Sequence, residues 1–162
     1  MNFVKGDLFE LAESGVFDVV VHGCNCFNTM GSGIANTVRT VYPDAYAEDC
    51  KTVRGDHKKV GTYTSALVGN NSKFVIVNAY TQYRYNPSSE RVDLFEYAGF
   101  ESILNSLLLT FPGKRFGFPM IGMDRAGGDK ARILSLIQKF SDAIHSTGGT
   151  ATMVEYTGVK NK

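Results

Sequence analysis

The chain has 162 residues, 17 basic and 16 acidic side chains, a formal net charge of +1, and 43% hydrophobic residues. That balance excludes a general polyanion binder, because gripping a nucleic-acid backbone or an anionic membrane needs a segregated basic excess. No apolar run reaches membrane-spanning length, and Met1-Asn2-Phe3-Val4-Lys5-Gly6-Asp7 lacks the basic-then-apolar form of a secretion signal, so a cytoplasmic protein is expected.

The length suits one folding unit, and 1–162 reads as a single domain without a linker. Three cysteines, an odd number, fit a reducing compartment. Cys24-x-Cys26 is not zinc spacing, no metal or cofactor is expected, and the bland reading of Cys24 is a small buried residue beside a loop.

In chain order, 2–5 predicts a short strand. Gly6-Asp7 breaks it, and Asp7 can cap an amphipathic turn carrying Leu8, Phe9 and Leu11. The β-branched run 17–21 predicts a strand buried on both faces, released into the polar stretch His22-Gly23-Cys24-Asn25-Cys26-Phe27-Asn28-Thr29-Met30 and then Gly31-Ser32-Gly33. Glycines there leave peptide N–H groups bare at the start of a helix, whose partial positive charge suits a phosphate. The spacing matches neither a Walker A loop nor G-x-G-x-x-G, so a tight turn is the competing reading. His22 and Asn25 stand where open α/β sheets take ligands: an imidazole for acid, base or anion contact, an amide for sugar hydroxyls.

Ile34, Ala35, Val38, Val41 and Tyr42 recur at helical steps until Pro43, and a second helix is expected over 44–53. The charged stretch Arg54-Gly55-Asp56-His57-Lys58-Lys59 predicts a surface loop. A hairpin follows, with strands over 60–68 and 74–78 and a turn at 69–72. It delivers Asn78, Tyr80, Thr81, Gln82, Tyr83, Arg84 and Tyr85, which read either as surface aromatics or as the wall of a nucleotide pocket. After a loop at Pro87-Ser88-Ser89, a helix is expected over 93–109 and a strand over 115–120, opening into a second glycine-rich loop, Ile121-Gly122-Met123-Asp124-Arg125-Ala126-Gly127-Gly128-Asp129. Asp129 is placed to cap the helix carrying Ile133, Ile137, Phe140 and Ile144, and 150–156 predicts a last strand. Strands alternating with helices, plus one hairpin, predict a mixed sheet between helical layers.

The stretches His22-x-Cys24-Asn25-Cys26, Met30-Gly31-Ser32-Gly33-Ile34-Ala35, Asn78 to Gln82 and Ile121-Gly122 with Ala126-Gly127-Gly128-Asp129 resemble the macrodomains, the ADP-ribose-binding modules. They are most similar to the branch containing small phosphatases of ADP-ribose 1''-phosphate. The resemblance implies a three-layer α/β/α fold with a mixed, mostly parallel sheet, and a monomer that takes ADP-ribose or a 1''-substituted ADP-ribose. It implies Asp7 at the adenine and Asn25 at the distal ribose. Gly31, Ser32, Gly33 and Ile34 would wrap the diphosphate from one side, and Ile121, Gly122, Met123, Asp124, Arg125, Ala126 and Gly127 from the other, with Leu8, Met30 and Gln82 among the ADP-ribose-binding positions.

Hydrolysis of the 1''-phosphate then rests on His22 as acid/base, Asn25 fixing the ribose and Asp124 activating water or orienting the histidine. A related branch releases ADP-ribose from modified protein or DNA with a lysine after the hairpin strand. This chain has Ala79-Tyr80 near that position and Arg84 as the nearest base, and a guanidinium is a poor nucleophile. A nucleic acid enters only as such an ADP-ribosylated substrate. Two alternatives stay open: hydrolysis of ADP-ribose adducts with Asp124 as the working carboxylate, and a non-catalytic module that binds ADP-ribose or a related NAD metabolite.

Overall fold

The structure is a computed structural model that describes residues 1–86, 92–123 and 126–158. Along the chain it forms β1 (Asn2–Lys5), α1 (Leu8–Glu13), β2 (Val19–Cys24), α2 (Gly33–Val41), α3 (Pro43–Cys50), a 3-10 turn (His57–Lys59), β3 (Tyr63–Val68), β4 (Phe74–Tyr80), α4 (Tyr97–Thr110), β5 (Arg115–Phe118), α5 (Lys130–His145) and β6 (Thr150–Glu155). The six strands make one sheet in the order β1-β6-β5-β2-β4-β3. Every pairing is parallel except the β3–β4 hairpin.

Side chains alternate across a strand, and β2 shows the consequence. Val19 and Val21 enter a core shared with Phe100, Ile103 and Leu107 of α4 and Ile133, Ile137 and Ile144 of α5. Val20 and Cys24 enter a second core on the other face, with Leu8 and Ala12 of α1, Val38 of α2 and Ala45 of α3. Two cores on two faces give the three-layer α/β/α arrangement that the alternation of elements predicts.

Several boundaries differ from expectation, each for a local reason. β2 runs on past Val21 to Cys24, because β4 pairs with it residue for residue and places His22 opposite Asn78. α4 starts at Tyr97 rather than at 93: Leu94 N–H donates to Ala126 O (2.7 Å) and Phe95 N–H to Asp93 Oδ1 (3.1 Å), so this stretch braces the second glycine loop instead of coiling. β5 stops at Phe118 because Pro119 has no N–H for the ladder, and Ile121 N–H turns back onto Pro119 O (2.7 Å). β3 begins only at Tyr63, after a turn that Asp56 caps through Lys58 N–H (2.9 Å). The expected loop at Pro87-Ser88-Ser89 lies outside the described residues.

The parallel pairings put the C-terminal ends of β1, β2, β4, β5 and β6 on one edge of the sheet, so the segments leaving β1, β2, β4 and β5 meet there. Among the described residues no helix is long and apolar enough to cross a membrane.

Candidate functional site

The first glycine loop leaves β2 and ends at α2. Ser32 is the N-cap residue, extended at φ −149° and ψ 160°, yet its side chain makes no capping bond. Gly33 opens the helix at φ +59°, a conformation that glycine adopts without a Cβ clash. Gly31, Ser32 and Gly33 are exposed, and a Cβ added at either glycine would meet nothing within 4 Å. The first N–H groups of α2 are thus bare and accessible. α1 and α5 carry their own anion: Asp7 Oδ1 accepts from Phe9 N–H (2.9 Å) and Glu10 N–H (3.0 Å), and Asp129 Oδ1 from Arg132 N–H (3.1 Å); α3 and α4, like α2, have no side-chain cap. An uncapped N-terminus with open space before it is where an external anion gains most.

The second loop leaves β5, the hydrogen-bonded neighbour of β2, and is built differently. Gly122 (φ +75°) and Gly127 (φ +68°) adopt left-handed conformations, and Gly128 N–H closes the turn on Gly122 O (2.8 Å). A Cβ on Gly122 would lie 2.4 Å from the Phe95 ring, and one on Gly127 2.3 Å from Val92 O. Tyr97 clamps the far end: its hydroxyl donates to Asp93 Oδ2 (2.6 Å) and accepts from Asp129 N–H (2.7 Å), with the Arg132 guanidinium 3.7 Å from its ring centroid. The two loops meet at Gly23, where an added Cβ would lie 3.3 Å from the Ile121 side chain and 2.9 Å from Thr81 Oγ1. Among the described residues that hydroxyl is the buried side-chain polar atom without a partner. An unmet buried hydroxyl costs about 1–3 kcal/mol, a cost that a ligand oxygen or ordered water at this junction relieves. Sequence reading placed Thr81 in an aromatic-polar cluster; its orphaned state appears only once β2, β4 and the second loop are packed together.

The expected acid/base role of His22 is not what the structure supports. His22 is 2% exposed and faces the core beneath α3, not the open edge. Its Nε2–H donates to Asn78 Oδ1 (2.6 Å), whose amide nitrogen donates to Ala45 O (2.9 Å) and Thr64 Oγ1 (3.0 Å). Burial pushes the imidazole pKa down from 6.5 to about 4, against the opposing pull of the Asn78 bond. At neutral pH His22 is therefore a neutral, fixed ring that ties β2 to β4 and α3. The network continues through Thr64 to the Tyr80 hydroxyl, which donates to Asp49 Oδ1 (2.7 Å). Burial raises both the Asp49 carboxyl and the Cys24 thiol above their usual ranges, which suits Cys24 as a packed residue rather than a nucleophile.

The remaining expected site residues divide by burial. Met30 (2% exposed), Ile121 (3%), Leu8 (5%) and Ala126 (6%) have buried side chains, which leaves their backbone as the part facing the open edge. Asn25 is half-buried and spends both ends of its amide shaping the loop, Oδ1 accepting from Phe27 N–H (2.8 Å) and Nδ2 donating to Thr29 Oγ1 (2.7 Å). Gln82 follows β4 on the same edge, its Nε2 donating to Arg84 O (2.8 Å). Asp7 is half-buried and caps α1, so the cap that its sequence context allows is formed. Ile34, Gly122, Met123 and Gly127 are partly exposed along the edge. Asp124 and Arg125 lie outside the described residues.

One residue beneath the first loop escaped sequence reading. Lys59 lies in a stretch whose charge predicts a surface loop, yet it is 7% exposed. Its ammonium donates to Cys26 O and to Asn28 Oδ1, both at 2.9 Å, and lies 5.1 Å from the Tyr80 ring centroid. Asn28 sits at φ +58°, and this grip helps hold it there. Lys59→Met removes two charge-assisted bonds. We expect it to cost about 2 kcal/mol, a fall in Tm of roughly 4–8 °C in a thermal melt.

A sheet of this order between two helical layers, with an open glycine loop after β2 and a braced one after β5, is that of a macrodomain. No known family model matches the chain. The chain belongs to the same family as the uncharacterized 17.5 kDa protein of the tk-vs intergenic region of Enterobacteria phage T4, with which it shares 32% identity over 131 residues, 78% of this chain and 77% of that one. The ADP-ribose 1''-phosphate phosphatase of Meyerozyma guilliermondii is 35% identical over 54 residues, 32% of this chain and 30% of the phosphatase. Among solved structures, the macrodomain of Mycobacterium tuberculosis DarG superposes with a TM-score of 0.67 at 20% identity, covering 94% of this chain and 95% of that one. A Trypanosoma brucei macrodomain in complex with ADP-ribose gives 0.64 at 14% identity, covering 95% and 62%.

Proposed function

We propose that this protein binds ADP-ribose across its two glycine loops and hydrolyses the phosphate of ADP-ribose 1''-phosphate. The observation that carries the reading is the bare, exposed N-terminus of α2 beside the braced second loop, while α1 and α5 carry carboxylate caps. In this reading the diphosphate accepts from the N–H groups at the start of α2. Asp7 turns its free oxygen toward the adenine amine, and the Asn25 loop receives the distal ribose. The partial match to a yeast ADP-ribose 1''-phosphate phosphatase and the macrodomain complexed with ADP-ribose support this assignment.

With His22 buried and neutral, the proton-handling group left for the reaction is Asp124. Its carboxylate takes the proton of a water that attacks phosphorus as the bond to the 1'' oxygen breaks and returns that proton to the departing oxygen, giving ADP-ribose and inorganic phosphate, while peptide N–H groups hold the pyrophosphate in place. A second reading, release of ADP-ribose from an adduct by attack at C1'', uses the same carboxylate. It is favoured by the exposed His57 ring, stacked on Tyr83 beside Phe27 of the first loop. Phosphate release from ADP-ribose 1''-phosphate tests the assignment. Asp124→Asn is expected to lower kcat by about 100-fold or more while calorimetry shows ADP-ribose still bound. Binding without release by the wild type leaves the adduct reading or a non-catalytic module.

A further inference from the structure

One edge of the sheet is unguarded. β3 is the last strand in the sheet and pairs with β4 alone. Proteins blunt such an edge with charge, proline or a very short strand, because its free N–H and C=O groups are a template for another chain. β1, at the opposite edge, follows that rule: it has four residues and ends in Lys5. β3 does not. No charged residue and no proline stands between Val60 and Ser72, and Leu67 is 64% exposed.

The phase of the ladder says which groups that edge offers. Tyr80 N–H donates to Thr62 O (3.0 Å), and on the far side of β4 Val75 N–H donates to Asp18 O (2.9 Å). With Leu67 opposite Val75, it follows that Thr64, Ala66 and Val68 turn their main-chain groups to β4, while Tyr63, Ser65 and Leu67 turn theirs outward. A second β3 laid antiparallel about a twofold axis at Ser65 sets Ser65 opposite Ser65 and Tyr63 opposite Leu67. Every one of these pairs is of the hydrogen-bonding kind, so the outward groups of both strands are all used. Opposed residues share a face, so each exposed Leu67 gains the Tyr63 ring of the other copy. That ring is already fixed, packed at the edge of the α4 core with its hydroxyl 3.1 Å from Thr110 Oγ1. The strand ends match in charge. Lys58, exposed, precedes β3, and the Glu13 carboxylate is held at the turn after it by the N–H groups of Asn70, Asn71 and Ser72. Antiparallel pairing brings the basic end of each strand to the acidic end of the other.

We infer that this protein pairs with a second copy of itself through the β3 edge, in place of the monomer that the resemblance implies, so that two six-stranded sheets join into one. Such a contact is isologous and closes at two copies. Because the joined strands run antiparallel, the two glycine-loop edges point in opposite directions and both stay open. The inference is independent of the ADP-ribose reading, since the glycine loops leave from β2 and β5.

Sedimentation velocity and a cross-link test it. A single strand edge is a small interface, so the wild type is expected to sediment mainly as a dimer at about 100 μM and as a monomer at about 1 μM. Leu67→Lys sets a charge on the edge at an exposed position, and is expected to weaken the dimer at least about tenfold with Tm unchanged. Ser65→Cys, made together with Cys50→Ser to remove the exposed native thiol, reports the register. The Cα atoms of a hydrogen-bonded antiparallel pair lie about 5.5 Å apart, within the span of a disulfide. Oxidised glutathione is therefore expected to give a covalent dimer on a non-reducing gel. A monomer at the higher concentration overturns the inference, as does a dimer that survives Leu67→Lys or that fails to cross-link through Ser65→Cys, because each puts the contact on another surface. Should Leu67→Lys lower Tm, the cross-link decides.

Discussion

Gly31→Val is expected to weaken ADP-ribose binding by about 10- to 100-fold while leaving Tm unchanged, and Gly122→Val to do the reverse in kind, unfolding the protein at lower temperature. The same chemical change has opposite consequences because the loops are built differently. At Gly31 an added side chain meets nothing within 4 Å, so the fold does not register it. The valine instead stands where an anion must approach the first N–H groups of α2, removing one or two charge-assisted hydrogen bonds worth about 1.5–3 kcal/mol each. At Gly122 the backbone is left-handed at φ +75°, and the new Cβ would lie 2.4 Å from the Phe95 ring. Backbone strain and overpacking together come to about 4 kcal/mol, a fall in Tm of roughly 8–16 °C. Calorimetry and a thermal melt on the two variants read both effects. Undiminished binding by Gly31→Val would remove the diphosphate from α2.

The second large effect is in pH. Unfolded, His22 titrates near its ordinary 6.5; folded, burial holds it at about 4. A histidine whose folded pKa is depressed favours the fold fully above the unfolded value, and that contribution drains away as pH falls toward the folded one. Between pH 7.5 and 4.5 this single group withdraws about 2–3 kcal/mol of stability. Urea unfolding across that range is expected to show a steeper loss in the wild type than in His22→Gln, whose neutral amide does not titrate. The same variant separates scaffold from catalyst. Phosphate release by His22→Gln at pH 7 is expected to stay within a few fold of the wild type, and a hundredfold loss at unchanged ADP-ribose affinity would return the imidazole to the reaction.

Asp49 works in the opposite sense, since burial raises its carboxyl, so its protonation on acidification opposes the destabilisation by His22. Glu13 and Asp18 add the usual acid lability. Glu13 is lowered although burial opposes it, because Tyr42 and the backbone N–H groups of Asn70, Asn71 and Ser72 bond its carboxylate. Asp18 is lowered by Arg115. Comparing His22→Gln with the wild type, not reading one curve alone, isolates the imidazole.

What the sequence by itself determined is everything set by near neighbours: the strand, glycine loop and helix over 17–42, the caps Asp7 and Asp129, the turn of the hairpin, and the alternation of elements that makes three layers. Caps and turns are bonds across two to four residues, so the residues that make them stand together on the page of the sequence. The tertiary structure decided which way each of those residues faces. His22 and Asn78 are 56 residues apart and Lys59 and Cys26 33 apart, so nothing local distinguishes a buried imidazole from a catalytic one, or a loop-holding ammonium from a solvated one. Likewise both loops read as glycine-rich, but only the packing of Phe95 against Gly122, and the empty space before Gly31, separate the loop that needs glycine to fold from the loop whose backbone stands open.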